Sequence, residues 1–227
     1  MPISLWNLGM IPEQFAPLDA GLLALSSPWS APVRVLEQTT STNDDLLREG
    51  EAGAPSGSLL FAEHQTAGRG QFHRPWSSAQ GLGLWFSLLL RLPITDSTVP
   101  SLSAFAAVAL VETIRKLGVQ DCGIKAPNDV LIQGRKAAGI LVETRTGHNS
   151  FAVVGIGLNI NHVSEDFPEE LRSCACSLAM ILGAPLKRHE VAVRLMENLG
   201  VREKLIMADP ELLLCSWNEM LLKDFTA

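Results

Sequence analysis

The sequence predicts an α+β fold: a mixed, mostly antiparallel sheet flanked by helices. Two observations predict it. Apolar, strand-like segments dominate the chain up to residue 160, the last three joined by connections of a few residues, and from residue 177 onward every pattern has a helical period. Connections that short join antiparallel neighbours, because a parallel pair needs a crossover of a dozen or more residues. Strands with few helices between them, then a helical run, signal α+β rather than a doubly wound parallel sheet.

Residues 1–31 carry four prolines and no useful periodicity, so 1–32 reads as an N-terminal leader and 33–227 as the domain proper, ending in a helical tail. Residues 33–37 read as a strand, and 41–48 as a helix with a hydroxyl at its cap, Asp44 and Asp45 in its first turn and Gly50 after its end. Segments 58–63 and 84–91 are apolar enough for buried strands, separated by a long glycine-bearing loop, 64–76. Apolar residues at three- and four-residue spacing over 102–117, behind Ser101 or Ser103 and before Gly118, predict a helix against one sheet face. Strands follow at 130–132, 140–143 and 151–160, with turns at 133–134 and 146–149. Helices are expected over 177–182, 189–207 and 210–222, the last opened by a proline suited to a first turn.

Composition excludes several roles. The 227 residues include 18 Lys plus Arg against 24 Asp plus Glu, a formal charge of -6, which is the wrong sign for gripping a phosphate backbone, so no nucleic-acid partner is expected. Cys122, Cys174, Cys176 and Cys215 form no C-x-x-C pair and suggest neither structural zinc nor a disulfide framework. No signal-peptide pattern opens the chain, and the most apolar stretches, 82–92 and 104–111, fall short of the roughly 18 residues of a membrane span. A cytoplasmic protein without a membrane partner is expected. Serine-triad, H-E-x-x-H and P-loop signatures are absent from the sequence.

Three constellations carry chemistry. The loop 64–76 puts Arg69, Arg74 and two histidines into an acidic protein, with Gly68 and Gly70 letting backbone approach a ligand and Trp76 offering a flat face. An anionic, nucleotide-like guest suits it; so does a solvated loop with the indole in the core. In Lys125-Ala-Pro-Asn-Asp129, Pro127 cannot continue a ladder and holds Asn128 and Asp129 at a strand entrance, while Lys136 begins the returning strand beside small residues. Lys136 and Asp129 could face one cleft, although a lone lysine there also fits a solvated edge. Asn159, after Gly155 and Gly157, could read an adenine edge or simply form a turn.

Taken together, these stretches resemble the catalytic domain of biotin protein ligases, also called biotin-[acetyl-CoA-carboxylase] ligases. The matching pieces are Ser41-Thr42-Asn43, Gln65 with Gly68-Arg69-Gly70 and Trp76, Lys125 with Pro127-Asn128-Asp129, Gly134-Arg135-Lys136 with Gly139-Ile140-Leu141, and Gly157 with Asn159. The resemblance implies the fold of class II aminoacyl-tRNA synthetases and an ATP-dependent, AMP-forming ligase. Biotin and MgATP would give biotinyl-5′-adenylate, and a carrier lysine would then take the biotin. The carrier would be the biotin carboxyl carrier domain of a biotin-dependent carboxylase. By position, Ser41, Thr42, Asn43 and Gln65 would hold the biotin head, while Arg69, Gly70 and Gln71 would cover its carboxylate and the phosphate. Trp76 and Asn159 would meet adenine, Lys136 would be the fixed catalytic cation, and Asp129 would orient or deprotonate the incoming lysine. Arg69 is expected to serve catalysis, biotin and ATP alike. Magnesium would bridge phosphate oxygens without a dedicated protein cage.

Departures from the family pattern set further expectations. Gln71 stands where the family often has Arg, which implies easier leakage of adenylate, and Ala126 stands where many members have Trp. Residues 1–32 are too short and uncharged for the family's helix-turn-helix, and the helical tail is too short for its C-terminal barrel, so a repressor role is disfavoured and carrier docking would fall to the core or to a homodimer partner. Two rivals stay open: a lipoate or octanoate transferase of the same superfold, and a non-catalytic module that binds biotin or the carrier.

Overall fold

The computed structural model describes residues 12–95 and 98–223, so residues 1–11 of the expected leader lie outside the described residues. Strands β1 (Val33–Thr39), β2 (Leu59–Gln65), β3 (Gly83–Leu90), β4 (Cys122–Lys125), β5 (Asp129–Ile132), β6 (Arg135–Arg145) and β7 (Phe151–Asn159) form one sheet in the order β1-β2-β3-β7-β6-β5-β4. Of the neighbouring pairs, β1 and β2 are parallel and the rest antiparallel. Helix α2 (Thr42–Glu51) supplies the β1-to-β2 crossover that a parallel pair requires.

Side chains alternate between two apolar layers. Leu59 and Phe61 enter the main core, whereas Leu60 between them joins Leu46, Leu47, Leu89, Phe151 and Val153 beneath α2. Burial on both faces is why residues 59–62 of β2 and all of β3 but Ser87 read as apolar runs instead of alternating. The main core is closed by α3 (Thr98–Lys116), packed against the sheet on one side and against α5 (Arg188–Ala208) and α6 (Pro210–Glu219) on the other. Among the described residues α3 is the one helix long and apolar enough to cross a membrane, a length the expected 104–111 stretch understated; here it is mostly buried in the protein. Leu102, Phe105 and Leu110 are fully buried, each worth about 1.5–3 kcal/mol. The helix begins at Thr98, so Ser101 and Ser103 lie inside it rather than at its cap; Pro100 falls in the first turn, where its missing N–H costs nothing.

Other boundaries differ from expectation for packing reasons. Gly50 lies inside α2, where a Cβ would come within 2.4 Å of the Phe151 ring. Strand β4 and the short helix α1 (Ala20–Leu25) were not anticipated; at four and six residues they are too short to show a period. Leu18 and Leu23 are buried in the main core. The Arg188 side chain, 1% exposed, pairs with Glu63 Oε2 at 2.7 Å and donates to the Gly83 and Ala16 carbonyls, while Glu63 Oε1 accepts from the Leu18 amide. This buried pair, with Arg188 Nε alone left without a hydrogen-bond partner, ties residues 16–18 to β2, β3 and the start of α5. Helix α4 (Leu178–Leu182) is capped by the Ser177 hydroxyl, which accepts from the Met180 amide. Finally, α6 ends at Glu219 rather than 222; the next residues run along β4, with the Ile124 amide donating to the Met220 carbonyl and the Leu222 amide to the Ile124 carbonyl.

Candidate active site

The N-terminus of α2, the loop after β2, the β4–β5 turn and the start of β6 converge on a cavity of ≈ 260 Å³. Its floor is made by absent side chains. Gly139 and Gly157 are register partners across β6 and β7, and the Trp76 indole lies over both, so that a Cβ on either would come within 2.8 or 2.6 Å of the ring. Trp76 Nε1 is buried without a hydrogen-bond partner. The ring meets Trp85 edge-on at 6.1 Å; Trp85 in turn meets His162, which stacks on Phe167 at 4.9 Å. Burial pushes the His162 imidazole down to about 4, against the opposing pull of Asp166.

The polar end of the cavity is a closed network. Gln65 Oε1 accepts from the Thr42 amide at 2.9 Å and from its hydroxyl at 3.2 Å, while Gln65 Nε2 donates to Ser78. Ser87 Oγ lies 2.6 Å from Asn43 Oδ1 and 2.8 Å from Thr42 Oγ1. With one proton to give and an amide oxygen that can only accept, the serine donates to Asn43. Asn43 Nδ2 donates to the Leu141 carbonyl and to Glu143 Oε2. Ser41 sits at the N-cap of α2, yet its side chain makes no capping bond, contrary to the expected capped start; it lines the cavity instead.

Cations dominate the remaining wall. Lys136 Nζ lies 2.7 Å from Asp129 Oδ1, outside good hydrogen-bond angles, and 5.2 Å from the Trp76 ring centroid. Lys125, Arg69 and Arg74 also line the cavity, and Asp129 is its one carboxylate among the described residues. The loop is a narrow hairpin: the Trp76 amide donates to the Gly68 carbonyl and the Gly70 amide to the Arg74 carbonyl. At its tip Phe72 takes a left-handed conformation (φ 57°) and is 84% exposed. Arg69 Nη1 lies 2.6 Å from Asp44 Oδ2, and Nη2 lies 2.9 Å from both Glu143 oxygens. The hydrogen bond to Asp44 raises the guanidinium pKa above its ordinary value; burial opposes this and Glu143 adds to it.

Of the expected site residues, Ser41, Thr42, Asn43, Gln65, Arg69, Gly70, Gln71, Trp76, Asp129 and Lys136 all line this cavity. Asn159 does not: it is 5% exposed, and its Nδ2 donates to the Cys176 carbonyl at 3.1 Å. Sequence reasoning missed Ser87, Asp44 and Glu143. Ser87 left a signal, a hydroxyl inside an otherwise apolar strand; Glu143, at a strand's far end, left none. A second hollow of ≈ 610 Å³, beneath residues 15–21, has Asp19, Glu37 and Glu63 as its charged lining among the described residues, the wrong sign for an anionic guest.

Residues 35–161 match the model of the biotin/lipoate A/B protein ligase family. The chain belongs to that family. Similar family proteins include the bifunctional ligase/repressor BirA of Bacillus spizizenii, 40% identical over 68% of this chain and 47% of the relative. The biotin-[acetyl-CoA-carboxylase] ligase of Mycobacterium tuberculosis is 37% identical over 80% of this chain and 67% of the relative. The chain thus spans about half the length of the Bacillus relative. Among solved structures, biotin protein ligase from Aquifex aeolicus in complex with biotin and ATP superposes with a TM-score of 0.66, at 29% identity, over 78% of this chain and 72% of that one. The Leishmania major biotin protein ligase bound to biotinyl-5-AMP, at 22% identity and a TM-score of 0.70, shares the fold.

Proposed function

We propose that the protein is a biotin protein ligase that activates biotin with MgATP and transfers it to a lysine of a biotin carboxyl carrier domain. The observation that carries this reading is the position of Lys136: its ammonium lies 5.2 Å from the centre of the Trp76 ring, in a cavity that is also lined by a polar network suited to a ureido group and by an indole suited to adenine. In the first step a biotin carboxylate oxygen attacks the α-phosphorus of ATP, the bond to pyrophosphate breaks, and biotinyl-5′-adenylate forms. Both reactants are anionic, so a preorganised cation at the meeting point offsets their repulsion and the charge growing on phosphate. In the second step the carrier amine attacks the carbonyl carbon, AMP leaves and an amide forms; the amine sheds a proton, for which Asp129 is the nearby acceptor. Magnesium would come bound to the phosphates of ATP, since among the described residues no cluster of His, Cys, Asp and Glu side chains would hold it. Asn159 is left out of the adenine site, because it lies outside the cavity lining.

The proposed setting is the cytoplasm, where ATP and carboxylases meet, and DNA binding is no part of the proposal for a chain of charge -6. The test is incubation with biotin, MgATP and a carrier domain, followed by intact-mass measurement, alongside biotin-dependent exchange of pyrophosphate into ATP. A ligase adds one biotin and catalyses exchange. Exchange with lipoate alone would establish the lipoate reading, and biotin binding without exchange the non-catalytic one.

A further inference from the structure

We propose that Asp44 and Glu143 are positioning residues for the glycine loop, and that Arg69 acts through them as a strut instead of touching ligand as a catalytic cation. The inference rests on the ligase reading above and revises the role expected for Arg69 within it. Both terminal nitrogens of the guanidinium already face carboxylates: Nη1 on Asp44 of α2 and Nη2 on Glu143 of β6, at 2.6 and 2.9 Å. Two carboxylates surround one cation, so the cluster presents no surplus positive charge to an incoming carboxylate or phosphate. A planar fork between two separate elements is the geometry of a brace.

The brace reaches both halves of the cavity. Glu143 Oε2 also accepts from Asn43 Nδ2 at 2.8 Å, and Asn43 Oδ1 is held by Ser87, which links the loop to the polar network. On the loop side, the backbone bonds between Gly68 and Trp76 and between Gly70 and Arg74 make a narrow ladder, so fixing Arg69 also fixes the indole over the glycine floor. With Arg69 committed to the brace, Lys136 beside the Trp76 ring, together with Lys125 and Arg74 on the same lining, supplies the positive charge that meets ligand anions, and the carboxylate beside Lys136, Asp129, itself faces the cavity.

Opposite signs separate a strut from a catalytic cation. If Arg69 met the ligand, removing its carboxylate partners would release it and strengthen binding, and lysine would largely substitute for it. For a strut, Glu143→Gln and Asp44→Asn should each raise the KM for biotin in pyrophosphate exchange by about tenfold while kcat stays within about threefold, and Arg69→Lys should fare no better than Arg69→Ala. Tryptic cleavage after Arg69 should be about fivefold faster in Glu143→Gln and Asp44→Asn than in wild type, since the loop opens more often. Unchanged or lowered biotin KM in both carboxylate variants, or near-complete rescue by Arg69→Lys, overturns the proposal. Unchanged cleavage rates do so as well. Asp44 is 41% exposed at its side chain, so Asp44→Asn keeps the test open should Glu143→Gln fold poorly. A wild-type protein without biotin-dependent exchange would overturn the ligase reading alone, because the cleavage comparison reads the brace without any substrate.

Discussion

The carboxamide of Asn43 fills the place beside Gly155 that a side chain would occupy: a Cβ at position 155 would lie 2.2 Å from Asn43 Oδ1. The polar end of the cavity is therefore shaped from both sides, by an amide at the start of α2 and by a missing methyl on β7. Asn43 keeps its bonds to Ser87, Leu141 and Glu143 only because the strand yields that space.

Gly155→Ala should therefore expel the Asn43 side chain and break its three contacts. The expected cost is about 1–3 kcal/mol of stability, as for other insertions into packed sites, with a marked loss of biotin affinity. Urea unfolding and calorimetric titration with biotin measure the two effects. Wild-type biotin affinity in this variant would show that the Asn43 network does not shape the site.

Lys136→Ala should depress adenylate formation by about 10²–10³-fold, the scale of removing one preorganised group from a developing charge. Its pair with Asp129 is partly exposed, at 36% and 21% for the two side chains, so the change in stability should stay within about 1 kcal/mol. Pyrophosphate exchange and thermal unfolding report the two quantities separately. Near-normal exchange would remove the catalytic assignment.

Gln71 lines the cavity as a neutral residue on the loop. Gln71→Arg should add positive charge where the adenylate would sit and slow its release into solution. Trapping of free biotinyl-adenylate over time, compared with wild type, is the measurement; equal or faster release from the variant contradicts the expectation.

Stability should fall with acid through His162. Its imidazole is held at about 4, below the ordinary 6.5, chiefly by burial. As pH falls the unfolded chain takes up the proton first, so this contribution is complete above pH 6.5, declines between 6.5 and about 4, and is flat below. The total is about 3 kcal/mol at 1.4 kcal/mol per unit. His162→Phe keeps a ring against Phe167 and should lose that much less stability across the window. Parallel pH profiles of urea unfolding for the two proteins would disprove the linkage.

Much of the site was legible because its residues are out of place chemically: arginines and glycines in an acidic chain, a proline before two polar residues, a lysine beside small neighbours. Those signals are local. The partners of Arg69 lie 25 and 74 residues away, and no spacing rule connects them. Asn159 carried a local signal too, yet its carboxamide turns to the Cys176 carbonyl, a choice made by a neighbouring segment. The fold class followed from patterning, because continuous apolar runs mark strands covered on both faces. Strand β4 and helix α1 escaped for want of length, and residues 220–222 kept a helical pattern although they leave α6 to lie along a strand.

That last segment has a physical consequence. Strand β4 stands at one end of the sheet, and its outer rim would otherwise offer bare amides and carbonyls to any extended peptide. Met220 and Leu222 take up the Ile124 amide and carbonyl, so the chain plugs its own rim beside the turn that carries Pro127 and Asp129. Polymerisation through that margin is blocked from within.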